Sequence, residues 1–258
     1  MDTIVTRIEH AAKGSGTVTF MTGDEPVELT WGELHASAKA MAAGLQARGV
    51  DRGDHVAVLG PTTQKLVTAM QAVWLCGATL VVLPLPMRLG SLEEFTASTR
   101  NRIRLADSRC VLVDSDLAPF LTTESGDPDM YLLDDLAESA QTADDFVRPD
   151  YHRDDLFVLQ FTSGSTSEPK GVQLPNHLVA ANLDAIIEAA EVDSDVDVMV
   201  SWLPLYHDMG LVGFCILPMS AGLPLVLGAP QDFLGSPGRW MEWISTYGGT
   251  ATAGPNFS

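Results

Sequence analysis

The stretch Leu159-Gln-Phe-Thr-Ser-Gly-Ser-Thr-Ser-Glu-Pro-Lys-Gly-Val172 joins an apolar, strand-like approach to a loop of small residues. Six small residues, Thr162 to Ser167, end the approach, and Lys170 and Gly171 follow shortly after. Such a loop exposes backbone N–H groups and hydroxyls at one point and adds a mobile cation beside them. These properties predict a binding site for the phosphates of a nucleotide.

On both sides of this loop, predicted strands alternate with predicted helices. Buried-type apolar runs predict strands at 55–59, 78–83, 110–113, 172–174, 196–202, 223–227 and 249–253, besides the one that enters the loop from Leu156. Helical periodicity predicts helices at about 61–76, 91–106, 176–190, 211–219 and 237–247. This alternation predicts an α/β fold, with mostly parallel sheets covered by helices.

One further helix carries explicit signals at both ends. Thr30 and Glu33 have the spacing of a capping box, in which the two side chains satisfy free N–H groups at a helix start. Apolar residues at 34, 38, 41 and 45 then share one helical face, and Gly49 can end the helix. Residues 114–153 are rich in Asp, Ser, Thr and Pro, and they predict an irregular, exposed connection.

The composition argues against several classes of protein. With 34 acidic and 15 basic residues, the chain has a formal net charge of -19 and no basic cluster, which argues against a nucleic-acid partner. The three cysteines, Cys76, Cys110 and Cys215, are far apart, and this spacing predicts free buried thiols. The start of the sequence shows no signal peptide, and Pro218 and Pro224 interrupt the longest apolar run. These features predict a cytoplasmic protein with no transmembrane segment.

The loop does not have the sequence of a Walker A motif, the best-known phosphate-binding loop. Counting from Gly164, Pro169 occupies the position of the second glycine, and Gly171 replaces the Ser or Thr that follows the lysine. The loop instead resembles the signature T-[SG]-G-[ST]-T-x-x-P-K-G-V of the adenylate-forming superfamily, which includes acyl-CoA synthetases, firefly luciferase and peptide-synthetase adenylation domains. The residues that match it are Thr162, Ser163, Gly164, Ser165, Thr166, Pro169, Lys170, Gly171 and Val172.

Two downstream segments resemble the same superfamily. Residues 202–211, Trp-Leu-Pro-Leu-Tyr-His-Asp-Met-Gly-Leu, match the form typical of FadD-type fatty acyl-AMP ligases. Gln160 to Ser167 also matches the phosphate-loop sequence that these ligases favour. Residues 253–257, Ala-Gly-Pro-Asn-Phe, resemble their A-P-N-F segment, with Gly254 as a departure. The resemblance extends from the capped helix near Thr30 to the last residue.

The resemblance implies acyl adenylation with ATP and Mg²⁺. A fatty acid carboxylate attacks the α-phosphate of ATP and yields acyl-AMP and pyrophosphate. Thr162 to Thr166, Lys170 and Gly171 would bind the nucleotide phosphates, and Lys170 and His207 would be catalytic. The acid would contact His207, Met209, Gly210 and Asn256. The candidate walls for its tail are Met209, Leu211, Phe214, Ile216 and Met219, with ordinary core packing as the alternative for each of them. Asp208 would orient His207 or cap a helix that begins near Met209.

Residues 1–258 are expected to form an incomplete N-terminal domain, the ATP- and acyl-binding half, with the C-terminal domain outside the chain. Such a portion alone is expected to be inactive. The acyl acceptor is expected to be the phosphopantetheine of an acyl carrier protein, with CoA as the alternative. An alternative from another functional class is a non-catalytic module that binds a nucleotide or an acyl group. A serine hydrolase is excluded because neither Ser163 nor Ser165 is framed as G-x-S-x-G.

Overall fold

The structure is a computed structural model that describes residues 2–22, 25–85, 91–121, 124, 126–139, 141–162 and 169–256. The chain divides into two compact units. The first unit consists of Met1–His35, Thr62–Gln64 and Asn176–Ser258, and the second of Ala36–Pro61 and Lys65–Pro175. Over these described residues, each unit contains one β-sheet.

In chain order, the strands of the described residues are β1 (Thr17–Phe20), β2 (Val27–Thr30), β3 (His55–Leu59), β4 (Thr79–Val82), β5 (Ser108–Val113), β6 (Asp129–Leu132), β7 (Leu156–Thr162), β8 (Lys170–Pro175), β9 (Met199–Ser201), β10 (Leu225–Leu227) and β11 (Ala251–Thr252). The α-helices of the same residues are α1 (Ile4–Ala11), α2 (Trp31–Ala47), α3 (Gln64–Leu75), α4 (Leu92–Leu105), α5 (Leu133–Ala137), α6 (Asn176–Ala189), α7 (Leu217–Ala221), α8 (Pro230–Gly235) and α9 (Gly238–Tyr247). A π-helical segment, Met209–Ile216, leads directly into α7.

The sheet of the first unit has the order β11-β9-β10-β1-β2 within the described part of the chain. Neighbouring strands in this sheet run parallel except β1 and β2, which pair antiparallel. The α1 helix buries Ile4, Val5, Ile8 and Ala11, and the buried Trp31 donates its Nε1–H to the carbonyl of Leu223 at 2.8 Å. The carboxyl ends of β9, β10, β1 and β11 therefore lie along one edge of this sheet.

The sheet of the second unit has the order β6-β5-β3-β4-β7-β8 over its described residues. All neighbouring strands run parallel except β7 and β8, which pair antiparallel. The central strands are buried on both faces because α-helices lie between them in the chain, and their sequences are accordingly continuous apolar runs. The core includes Ala57, Leu59, Val81, Leu83, Ile103, Val111, Val113 and Leu159.

The predicted α/β class with mostly parallel sheets is confirmed. So is the capping box, because Thr30 N–H donates to Glu33 Oε2 at 2.8 Å and Glu33 N–H to Thr30 Oγ1 at 3.1 Å. Gly49, which follows α2, has a left-handed φ of +79°, a conformation that glycine adopts without strain.

The predicted irregular connection over 114–153 is wrong in one part, because it contains β6 and α5. β6 pairs in parallel with β5, from Cys110 opposite Asp129 to Val113 opposite Leu132. Its residues are only half-buried because β6 is the edge strand, so its sequence lacks the apolar run of a central strand. The elements α1, β1 and β2 are also additions to the predicted list.

Candidate active site

The two arms of the predicted phosphate loop pair with each other in the second unit. β7 and β8 are antiparallel, with Thr162 directly opposite Lys170 and Phe161 opposite Gly171. Thr162 Oγ1 lies 3.5 Å from the carbonyl oxygen of Lys170. The predicted ligands Ser163, Gly164, Ser165 and Thr166 belong to the connection between these strands, and they lie outside the described residues.

Lys170 and Gly171 thus belong to a strand, whereas the sequence interpretation placed them in the loop. Both residues are exposed on β8, which is the edge strand of its sheet. Within the described part of the chain, no ion pair involves Lys170. Its ammonium is therefore presented to solvent beside the carboxyl end of β7, and the carboxyl ends of strands are where parallel sheets bind ligands.

The predicted substrate motif forms a turn at the carboxyl end of β9 in the first unit. After Trp202 the chain turns back, and His207 N–H donates to the carbonyl of Pro204 at 3.2 Å. Leu211 N–H then donates to the carbonyl of His207 at 2.8 Å. Both backbone polar groups of His207 are thereby hydrogen-bonded, so the position of its Cα is well determined.

Gly210 closes this turn. A Cβ placed on Gly210 would lie 2.3 Å from the carbonyl oxygen of Pro204 and 3.1 Å from the carbonyl carbon of Leu203. Any side chain would therefore push the two backbone segments apart. The structure thus gives Gly210 a packing role in the turn, next to the side chains that were predicted to contact the acid.

Asp208 makes both of the contacts that the sequence predicted for it. Its Oδ1 lies 2.6 Å from His207 Nδ1 and accepts the N–H of Met209 at 2.8 Å, where the π-helical segment begins. The side chains of His207 and Asp208 are 63% and 72% exposed. The imidazole is therefore largely open to solvent, with the Asp208 carboxylate beside its Nδ1.

The candidate tail-binding residues divide into two groups. Leu211, Phe214, Ile216 and Met219 are buried in the π-helical segment and α7, whereas Met209 is 45% exposed. Asn256 is also exposed, and it follows β11. Since β11 and β9 are parallel neighbours, Asn256 and His207 both follow strand ends at the carboxyl edge of the first unit's sheet.

Sequence reasoning missed an aromatic cluster beneath the substrate motif. Trp202 stacks on Phe233 with a ring separation of 3.8 Å and an interplanar angle of 4°, and the edge of Trp240 meets both rings. Trp240 Nε1–H donates to Thr252 Oγ1 at 3.0 Å. The cluster joins β9, α8, α9 and β11, so it packs the segment after Trp202 against its own unit.

The match of the chain with one family model decides its family. The model of the AMP-binding enzymes matches residues 8–256. The chain is a member of the AMP-binding enzyme family. Its relatives include the provisionally named ligase Rv1013 of Mycobacterium tuberculosis, which is 36% identical over all of this chain and 47% of that protein.

Two further comparisons find similarity to proteins named as fatty-acid ligases. The M. tuberculosis protein fadD25, provisionally named a fatty-acid–CoA ligase, is 32% identical over 89% of this chain and 40% of its own length. The crystal structure of a fatty acyl-adenylate ligase from L. pneumophila, in complex with acyl adenylate and pyrophosphate, superposes with a TM-score of 0.88 at 27% identity. That match covers 99% of this chain and 44% of the other. The chain thus spans less than half the length of these proteins.

The described residues of this AMP-binding enzyme contain no helix long and apolar enough to cross a membrane. They also contain no group of three or more His, Cys, Asp or Glu side chains that could hold a metal ion. The predicted site residues fall in both units: Thr162, Lys170 and Gly171 in the second, and His207, Met209, Gly210 and Asn256 in the first.

Proposed function

We propose that the protein, in its full-length form, activates a fatty acid to its acyl-AMP with ATP. The observation that carries this proposal is the built turn at His207, which presents an imidazole at the carboxyl edge of a parallel sheet. Support comes from Thr162 and Lys170, which pair at the mouth of a hairpin whose sequence matches the family's phosphate signature.

The chemistry requires charge neutralisation more than covalent catalysis. A carboxylate is a weak nucleophile, and it attacks an anionic phosphorus in line to release pyrophosphate. In this proposal Lys170 and the loop from Thr162 to Thr166 hold the β- and γ-phosphates, and Gly171 keeps the strand beside them free of a side chain. His207 contacts the carboxylate or the α-phosphate, with Met209, Gly210 and Asn256 beside the acid.

Mg²⁺, when bound, would share the negative charge of the phosphates with Lys170. The described residues do not form a site for this ion by themselves. Its phosphate ligands would come from the nucleotide.

The acceptor in our proposal is the phosphopantetheine thiol of an acyl carrier protein, because residues 202–211 match the motif of fatty acyl-AMP ligases. CoA is the second candidate, favoured by the similarity to fadD25. Product analysis with both acceptors distinguishes these candidates. Acylated carrier protein as the sole product supports the carrier protein as acceptor, and acyl-CoA supports CoA.

The proposal is tested by ATP–pyrophosphate exchange on the full gene product with a panel of fatty acids. We expect acid-dependent exchange that Lys170→Ala and His207→Ala each reduce by at least about a hundredfold. Lys13→Ala and His10→Ala, which change exposed residues on and after α1, are the matched controls and should leave exchange unchanged. If none of the fatty acids supports ATP–pyrophosphate exchange, that result would favour the non-catalytic binding module instead.

We further propose that residues 1–258 alone turn over poorly, because they span less than half the length of the fatty-acid ligases they resemble. The same exchange assay on this portion checks the proposal. Robust acid-dependent exchange by these residues would contradict it.

A further inference from the structure

A groove of about 630 Å³ lies in the first unit at the amino ends of its strands. Three segments line this groove, and each of them precedes a strand: residues within 10–16 come before β1, 194–195 before β9, and 221–224 before β10. The turn at His207 follows the opposite end of β9. This amino-edge groove is therefore separate from the candidate active site.

Small residues form part of the groove wall, and close backbone packing explains why they are small. A Cβ on Gly16 would lie 2.0 Å from the carbonyl oxygen of Gly222, so a side chain at Gly16 would push the two backbone segments apart. Gly222 itself has a left-handed φ of +73°, which glycine adopts without strain. This part of the wall thus carries no side chain that could fill the groove.

The segment before β1 supplies several unused hydrogen-bond donors. Lys13 and Ser15 are exposed, and no ion pair in the described part of the chain involves Lys13. The N–H groups of Ser15 and Gly16 donate to no described residue. An ammonium, a hydroxyl and two backbone N–H groups together match the several acceptor oxygens of a phosphate.

The segment before β9 brings the opposite charge to the same groove. Asp195 is exposed and lines the groove, and among the described residues it forms no ion pair, with Lys13 or with any other base. Acidic residues outnumber basic ones by 34 to 15, yet these two opposite charges face one groove without pairing. A ligand with an anionic group for Lys13 and a hydrogen-bond donor for Asp195 would satisfy both.

We propose that the amino-edge groove binds a small phosphorylated sugar. The phosphate accepts hydrogen bonds from Lys13, from the Ser15 hydroxyl and from the N–H groups of Ser15 and Gly16, and the sugar hydroxyls donate to Asp195. The volume of the groove lies in the range of small-molecule sites, about 300–1,000 Å³. This inference does not depend on the proposed function, because no residue of the groove belongs to the candidate active site.

The first test is isothermal titration calorimetry of the full gene product with ribose 5-phosphate, inorganic phosphate and ribose as separate probes. We expect ribose 5-phosphate to bind once per chain with a Kd of about 1 mM or tighter. Phosphate should bind at least about tenfold more weakly, and ribose should not bind, because each makes only part of the contacts.

The second test repeats the titration of ribose 5-phosphate with Lys13→Ala. The variant should bind at least about tenfold more weakly, because it lacks a charge-assisted hydrogen bond to the phosphate. Lys39→Ala, which changes a lysine of α2 in the second unit, is the matched control and should bind as the wild type does.

The third test distinguishes the two ends of the ligand with Asp195→Ala. Since Asp195 contacts the sugar, this variant should bind ribose 5-phosphate about tenfold more weakly and inorganic phosphate no more weakly than the wild type. Asp144→Ala, which changes another exposed aspartate, is the matched control and should alter neither Kd.

Three results would overturn the inference. They are the absence of saturable binding of ribose 5-phosphate, equal Kd values for phosphate and ribose 5-phosphate, and binding that Lys170→Ala abolishes while Lys13→Ala does not. The last result would assign the ligand to the nucleotide-phosphate site of the proposed function. These titrations need no fatty acid, so the inference and the proposed function can fail independently of each other.

Discussion

Lys170 lies on an edge strand and faces solvent, whereas Gly210 packs against the backbone of Pro204 inside a turn. Both residues belong to motifs of the same family, and both were predicted from the same kind of pattern. The hairpin around Lys170 is held by strand pairing, which depends little on the side chains it carries. The turn around Gly210 is held by close packing and by the aromatic cluster of Trp202, Phe233 and Trp240.

This difference teaches that a motif can constrain residues for two separate reasons. At the hairpin we expect the constraint to be chemical, since an exposed ammonium adds charge but almost no packing. At the turn the constraint is largely steric, since most of the motif supports the one imidazole that it presents. Substitutions in the two segments should therefore affect stability and activity in opposite proportions.

The largest expected effect on stability is that of Trp202→Ala. Trp202 is 3% exposed and stacked on Phe233, so truncation should cost about 3–5 kcal/mol in the free energy of unfolding. Cys215 is the natural reporter in the same unit, because burial leaves it inaccessible and raises the pKa of its thiol to about 12. Its reaction with a thiol reagent at pH 8 should be much faster in the variant.

Cys76 provides an internal control for that experiment, because it is buried in the second unit. Peptide mapping should show Cys215 labelled early and Cys76 labelled at the wild-type rate. Equal labelling rates for Cys215 in the wild type and the variant would show that the aromatic cluster does not support the turn.

A smaller effect is expected for Gly210→Ala. The added methyl group would lie within 2.3 Å of the Pro204 carbonyl oxygen, and overpacking of this kind costs about 1–3 kcal/mol. The matched control is Gly213→Ala in the same π-helical segment, where an added Cβ meets nothing within 4 Å. Denaturant unfolding should show a lower free energy of unfolding for Gly210→Ala only. Equal free energies of unfolding for the two variants would refute the packing role of Gly210.

Gly171→Ala should have a still smaller effect, about 0.5–1 kcal/mol at most. The added methyl group would lie 3.0 Å from Leu159 Cδ1, the end of a side chain that can move aside. The same unfolding measurement checks this value. If Gly171→Ala lowers the free energy of unfolding as much as Gly210→Ala does, the hairpin and the turn do not differ in their steric constraint.

The smallest expected change in stability is that of Lys170→Ala, within about 0.5 kcal/mol, because an exposed side chain without an ion pair in the described residues loses little on truncation. ATP–pyrophosphate exchange should nevertheless fall by at least about a hundredfold. Stable, inactive protein is the result that separates chemical from steric constraint. Retained exchange would remove Lys170 from the proposed site.

The sequence predicted those elements whose signals are local. The predicted strand His55–Leu59, which is apolar from Val56 onward, matches β3 residue for residue, and the Thr30–Glu33 box locates the start of α2. β6 was missed because its stability comes from pairing with β5, a partner that its own half-buried residues do not reveal.

The candidate site divides in the same way. The proposed ligands Lys170 and His207 could be predicted from the motifs, because the chemical type of a side chain is read directly from the sequence. The packing role of Gly210 and the stack of Trp202 on Phe233 depend on backbone and side-chain approaches between separate segments, which no residue pattern contains. The position of Lys170 opposite Thr162 is likewise known only from the register of β7 and β8.

The π-helical segment Met209–Ile216 has a consequence for how this region can vary. A π-helical turn holds one residue more than an α-helical turn, so the segment corresponds to an α-helix with a one-residue insertion. Deleting one residue from an α-helical path turns everything beyond it by about 100°. Here a single deletion within the segment would instead let it relax into the α form while both ends stay in place. Length changes of one residue directly after Asp208 are therefore an accessible route for altering which side chains this segment presents to solvent and which it buries.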